Sequence, residues 1–184
     1  DSALVGILCK RACENTLGVL MPCESARNFS IDMDDGLKVA EQFGIESVTA
    51  DLSSVKAEIL CALAGVQEIS AEAQVNLAPR LRMTALYAVA QSRGCLVAGT
   101  GNRSEAYVGY FTKWGDGAHD FNPISDLTVT EIFEFLRFLG APGFLIEKAP
   151  SAGLYDGRPM ERKWALPTAS STAICSAVRL PLKR

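Results

Sequence analysis

Apolar residues recur along this chain at two alternating spacings, one helical and one strand-like, separated by glycine, proline and short polar turns. Leu4, Leu8 and Ala12 stand at helical spacing, with Val5 and Cys9 on an adjacent row, which predicts a buried helix over Ser2 to Cys13. Thr16 to Met21 is a short apolar run ended by Pro22 and predicts a strand. Met33 to Phe43 reads as an amphipathic helix closed by Gly44. Ser47 to Asp51 is a second strand, and Lys56 to Ala64 a helix ended by Gly65. Gly65 to Val75 is expected as a flexible linker, with Pro79 in the first turn of the next helix. The stripe of that helix is Met83, Leu86, Tyr87 and Ala90, and Gly94 ends it before a third strand, Cys95 to Ala98. Thr128 and Glu131 have the spacing of a capping box, in which each side chain reaches the other's backbone N–H. Ile132, Phe135, Leu136 and Leu139 then form a core stripe, closed by Gly140 and Pro142. Strands alternating with helices predict an α/β fold on a parallel sheet. There is no internal repeat.

Composition narrows the class of protein. A chain of 184 residues suggests one domain, long enough to bury ~70% of its unfolded surface. No uninterrupted apolar run approaches the ~18 residues of a membrane span, and no secretory signal opens the chain. The formal charge of −3 argues against bulk attraction to nucleic acid or anionic lipid. Cys9, Cys13, Cys23, Cys61, Cys95 and Cys175 are scattered in apolar surroundings, as buried reduced thiols are, which points to the cytoplasm. Cys9 and Cys13 lie four apart, but no second Cys or His pair completes a zinc pattern. His119 is the only histidine, so a Ser-His-Asp arrangement has little to work with.

The chemistry concentrates between Leu96 and Asp120, LVAGTGNRSEAYVGYFTKWGDGAHD. An apolar strand stops at Gly99, and a polar loop follows that carries Thr100, Arg103, Glu105, Lys113, Asp116 and Asp120. Open α/β sheets place ligands at the carboxyl ends of their strands. Together with the opening Asp1-Ser2-Ala3, this segment resembles the ammonia-dependent NAD synthetases of the N-type ATP pyrophosphatase group, over about residues 1–157. The resemblance implies a three-layer, Rossmann-like sandwich of the adenine nucleotide alpha hydrolase type, working as a homodimer. It implies conversion of deamido-NAD to NAD with ATP, Mg2+ and free ammonia, through an acyl adenylate, with release of pyrophosphate and AMP. Rival readings are a GMP synthetase-like or tRNA-thiolating relative, or a non-catalytic nucleotide-binding or dimerisation remnant.

The same resemblance distributes the residues. Asp1 and Glu105 match the magnesium carboxylates, and magnesium sites use one or two carboxylates with phosphate oxygens. Ser2, Thr100 and Ser151 match ATP contacts, with Gly99 and Gly101 allowing the backbone to come close at Thr100. Arg80, Lys113 and Asp120 match deamido-NAD contacts, supported by Arg82 and Asp116, and Tyr110 and Trp114 are candidates to stack on a ring. No residue is expected to act as a covalent nucleophile. Each residue also has a plainer reading: Asp1 as a solvated terminus, Glu105 as a first-turn helix acid, Thr100 as turn chemistry, and Arg80 and Lys113 as a solvated face. Where the family carries Lys beside the capping threonine, this chain has Val129, which removes a cation expected to meet the triphosphate.

Both ends depart from the family. Of its Ser-Gly-Gly-x-Asp-Ser phosphate loop only Asp1-Ser2 is present, so residues 1–157 read as a core without its first strand and most of that loop, and little or no synthetase activity is expected. Residues 158–184 hold six basic residues and one acid, an atypical basic tail that also lacks the family's His-Lys pair. Permitted codons for Gly157 to Ile174, read two bases later, give AADGKEMGFAYGELDRY, which has the family's pattern and suggests a frameshift. The competing reading is a native basic tail that binds a partner.

Overall fold

Every residue of Thr16–Leu20 (β1) is buried, as expected of a strand covered by helices on both faces. A computed structural model describes residues 1–23, 31–147 and 174–178, the last as backbone. Among these, β1 pairs in parallel with Glu46–Thr49 (β2), Leu17 opposite Glu46 and Leu20 opposite Thr49. Leu96–Ala98 (β3) runs in the same direction, but a further strand, Ile174–Val178 (β4), lies between β1 and β3 and is antiparallel to both. The sheet order is β2-β1-β4-β3. The three strands read from periodicity are therefore parallel as expected. The fourth comes from the segment expected to be an atypical tail, and it makes the sheet mixed.

Helices form a layer on each face. Ser2–Ala12 (α1), Met33–Phe43 (α2), Val129–Phe138 (α6) and the short Gly143–Glu147 (α7) contribute to one core cluster. Leu4, Val5 and Ile7 of α1 and Val39 of α2 have no exposed surface there, and Ile132 and Leu136 of α6 pack with them. On the opposite face, Leu17, Val19 and Val97 of the sheet pack against Ala78, Leu86 and Ala90 of Ala71–Arg93 (α4), with Ser53–Leu63 (α3) outside. The result is the three-layer α/β sandwich expected. Alternation along β1 and β3 sends neighbouring side chains to opposite faces: Val97 belongs to one cluster and Ala98 to the other. No helix among the described residues is long and apolar enough to cross a membrane.

Local signals set most boundaries. Gly44 and Gly94 end α2 and α4 in the left-handed conformation, at φ 64° and 65°. Thr128 caps α6, with the reciprocal Glu131 contact in place. The expected linker is the main correction. α4 begins at Ala71, capped by the Ser70 hydroxyl on Ala73 N–H at 3.3 Å, so half of Gly65–Val75 is helical. Pro79 accordingly lies well inside α4 rather than in its first turn. Propensity places proline at helix starts, but packing overrides it here: Pro79 is buried beneath the loop that carries Gly115. Arg103–Val108 (α5) is a second difference, a short helix within the segment read as a polar loop, and it agrees with the plainer reading of Glu105 as a first-turn helix acid.

Candidate functional site

The carboxyl end of β3 runs into the turn Gly99–Asn102, and this turn organises the site. Gly99 N–H bonds to the Phe121 carbonyl at 2.7 Å, and the His119 ring lies so close that a Cβ at Gly99 would stand 2.5 Å from His119 Cγ. Asn122 Nδ2 donates to the Gly101 carbonyl at 2.8 Å. Asn102 has no exposed surface and caps α5: its Oδ1 accepts from Glu105 N–H at 2.9 Å, while Glu105 Oε2 accepts from Asn102 N–H at 3.0 Å.

The N-terminus of α1 meets this turn. Asn102 Nδ2 donates to Asp1 Oδ2 at 3.3 Å, across a separation of 101 positions in the chain. Asp1 Oδ1 is buried and has no hydrogen-bond partner among the described residues. Burial, the largest influence, pushes the Glu105 carboxyl up to about 7; the Asn102 N–H opposes the rise and the Asp116 charge adds to it. Two carboxylates drawn to one asparagine, one of them with an unsatisfied buried oxygen, are a donor set that suits a hard divalent cation. Ser2 is buried as the first residue of α1, and Thr100 is half-buried at the end of β3. Ser151 lies outside the described residues.

A second group gathers over α4. Arg80 Nε donates to the Lys113 carbonyl at 3.2 Å, so these two exposed cations come together from a helix and a distant loop. Lys113 Nζ sits 5.6 Å from the centre of the Trp114 ring. Trp114 is 66% exposed and has φ 60°, a strained conformation for a tryptophan. The loop is tied down where Thr112 N–H bonds to Asp116 Oδ1 at 2.9 Å and Thr112 Oγ1 to Asn76 Oδ1 at 2.7 Å. Arg82 Nε donates to the Met21 carbonyl at 2.9 Å. Asp120 is engaged differently, accepting from Val97 N–H at 2.7 Å and from the Tyr87 hydroxyl at 3.2 Å, which straps the loop to β3 and α4.

Asp1, Ser2, Thr100 and Glu105 thus lie around one strand end, while Arg80 and Lys113 meet over α4. Val129 is buried, and its N–H faces the Ser104 hydroxyl at 3.4 Å. Sequence reasoning missed Asn102. Its signal was legible as an asparagine three residues before a glutamate, a capping box with Asn in the cap position.

The family model described as NAD synthase matches residues 1–169. The NH(3)-dependent NAD(+) synthetase of Carboxydothermus hydrogenoformans is 44% identical over 164 residues, covering 88% of this chain and 66% of that protein. The chain therefore spans just under two thirds of that relative's length. Among solved structures, the NMN synthetase of Francisella tularensis superposes with a TM-score of 0.82 at 30% identity, over 93% of this chain and 75% of that one. The NH3-dependent NAD synthetase of Campylobacter jejuni, in complex with nitrate, gives a TM-score of 0.72 at 32% identity, over 79% of this chain and 62% of that one.

Proposed function

This chain belongs to the NAD synthase family, and on that premise we propose that it serves the ATP-dependent amidation of deamido-NAD to NAD with free ammonia. The observation that carries this reading is the convergence of Asp1 and Glu105 on Asn102, with Asp1 Oδ1 left for a cation. In the first step the nicotinate carboxylate oxygen bonds to the α-phosphorus of ATP, and the bond to pyrophosphate breaks. Ammonia then bonds to the acyl carbon, AMP leaves with the former carboxylate oxygen, and the nitrogen loses a proton. No protein nucleophile is needed, so the side chains align the reactants and balance charge.

Asp1 and Glu105 would hold Mg2+, whose charge would favour departure of the pyrophosphate. The hydroxyls of Ser2 and Thr100, with Ser151, would donate to ATP, staying neutral while they do so. Arg80 and Lys113 would bind the anionic dinucleotide, with Asp120 positioned by its strap to β3. A homodimer is the assembly proposed, supported by α3, which has no buried residue in the single chain despite an apolar sequence. The cytoplasm is the compartment proposed, resting on the buried cysteine side chains of Cys9 and Cys23.

The likeness to the Francisella NMN synthetase supports a second reading, in which the substrate is the mononucleotide carboxylate rather than the dinucleotide. One assay separates them. The purified protein is given ATP, Mg2+ and ammonium with each carboxylate in turn, and amide, AMP and pyrophosphate are followed together. Equal formation of all three with the dinucleotide as the better substrate supports the first reading, and preference for the mononucleotide the second. Pyrophosphate release only with an unrelated acceptor would overturn both.

A further inference from the structure

We propose that Asn102 is a positioning residue that holds the Asp1 and Glu105 carboxylates together as one divalent-cation site; this rests on reading those two as the magnesium ligands. Two carboxylates brought to one place repel each other, and before a cation arrives something must offset that repulsion. Asn102 is placed to do so. It is fully buried and touches both acids: Nδ2–H on Asp1 Oδ2, its backbone N–H on Glu105 Oε2, and Oδ1 on the Glu105 N–H that fixes the start of α5. Asn122 holds the adjacent Gly101 carbonyl, and a Cβ at Gly101 would come within 4.0 Å of both Asn122 Nδ2 and Glu105 Oε2.

The identity of the residue exceeds what the helix needs. Serine, threonine or aspartate would cap α5 as well as asparagine does. None of them carries both the acceptor for Glu105 N–H and a second arm with an N–H donor for Asp1. Holding the acids from outside the cation leaves Asp1 Oδ1, buried and unpartnered among the described residues, for the metal. Groups that orient metal ligands in this way typically contribute 10–100-fold to metal affinity.

The test uses Mn2+ as the probe, titrated into the purified protein and read by electron paramagnetic resonance, alongside thermal melts in EDTA. Asn102→Ser keeps the cap and removes the donor arm. The expected result is Mn2+ affinity weaker by roughly tenfold or more, with a metal-free melting transition that stays cooperative and falls by about 3–10 °C, because Asp1 Oδ2 loses its buried donor. In an Asp1→Asn background, Asn102→Ser should add no further loss, because its partner is already gone. Asn102→Thr, which fills more of the vacated volume, is the second variant should Asn102→Ser fail to fold. Unchanged Mn2+ affinity in the serine or threonine variant, or full additivity with Asp1→Asn, overturns the positioning role. Mn2+ affinity that survives both Asp1→Asn and Glu105→Gln overturns the reading of the ligands, and the role of Asn102 with it.

Discussion

Glycine at position 99 is imposed by a residue twenty positions later: the His119 ring occupies the space that any Cβ would take. The clash is with the ring's Cγ, close to the backbone, so it cannot be relieved by a small side-chain swing. Gly99→Ala is therefore expected to destabilise the protein by about 1–3 kcal/mol, and His119→Ala in the same chain should recover most of that; urea melts of the three variants check it. Glu105 supplies a prediction in pH. Its folded value of about 7 stands above the ordinary glutamate range, with burial the main cause. Between about pH 4 and 7 the folded state binds more protons than the unfolded one, so stability is fullest below about 4 and falls as pH rises through 7. Glu105→Gln keeps an oxygen for the Asn102 N–H and cannot ionise. In EDTA it should flatten that slope and gain on the order of 2 kcal/mol at pH 8, partial exposure discounted, while losing most Mn2+ affinity. A metal-free stability curve that falls as steeply from about pH 4 to 7 in the glutamine variant as in the parent would sink the assignment; Asp116, its carboxyl also raised by burial, leaves a smaller fall in both. Periodicity shows neither effect, because the neighbours responsible lie far away in sequence.

At the scale of elements, α4 and the loop 110–117 form one unit. Pro79 gives up a helical hydrogen bond inside α4, and Gly115 rests directly on it, where a Cβ would lie 2.9 Å from Pro79 Cβ and 3.1 Å from its carbonyl carbon. That seat sets the height of the loop from which the Lys113 carbonyl receives Arg80. Gly115→Ala should cost about 1–3 kcal/mol and weaken binding of the dinucleotide several-fold, since it displaces the cations proposed to bind it. Calorimetric titration with deamido-NAD decides; an affinity equal to the parent's would contradict it. The cap signals at Thr128, Gly44 and Gly94 were legible because capping depends on residues within one turn. The length of α4 was not. Its first two turns carry a weak apolar stripe, and the contacts that hold Pro79 come from the loop more than thirty residues on.

At the scale of the whole molecule, β4 joins the sheet together. Among the described strands it alone lies between β1 and β3, with Ser176 opposite both Gly18 and Ala98. A proline at the centre of such a strand removes a ladder donor and cannot be moved to an edge. Ser176→Pro is expected to destabilise by about 3 kcal/mol or more, which for a chain of 184 residues is a fall of roughly 10 °C in Tm. A calorimetric scan within about 2 °C of the parent would show that β4 contributes little to the sheet.

The sequence alone determined the α/β class, the three parallel strands, the helix caps and the resemblance that the match to the NAD synthase family bears out. These rest on periods of two to four residues and on residue chemistry, both of which are local. Only the tertiary structure decided that residues 174–178 enter the sheet antiparallel, that Pro79 lies within a helix, that Asp120 straps a loop to β3, and that Asn102 stands between Asp1 and Glu105. Each depends on groups brought together from far along the chain by burial of the two apolar layers, and no local pattern encodes such a meeting.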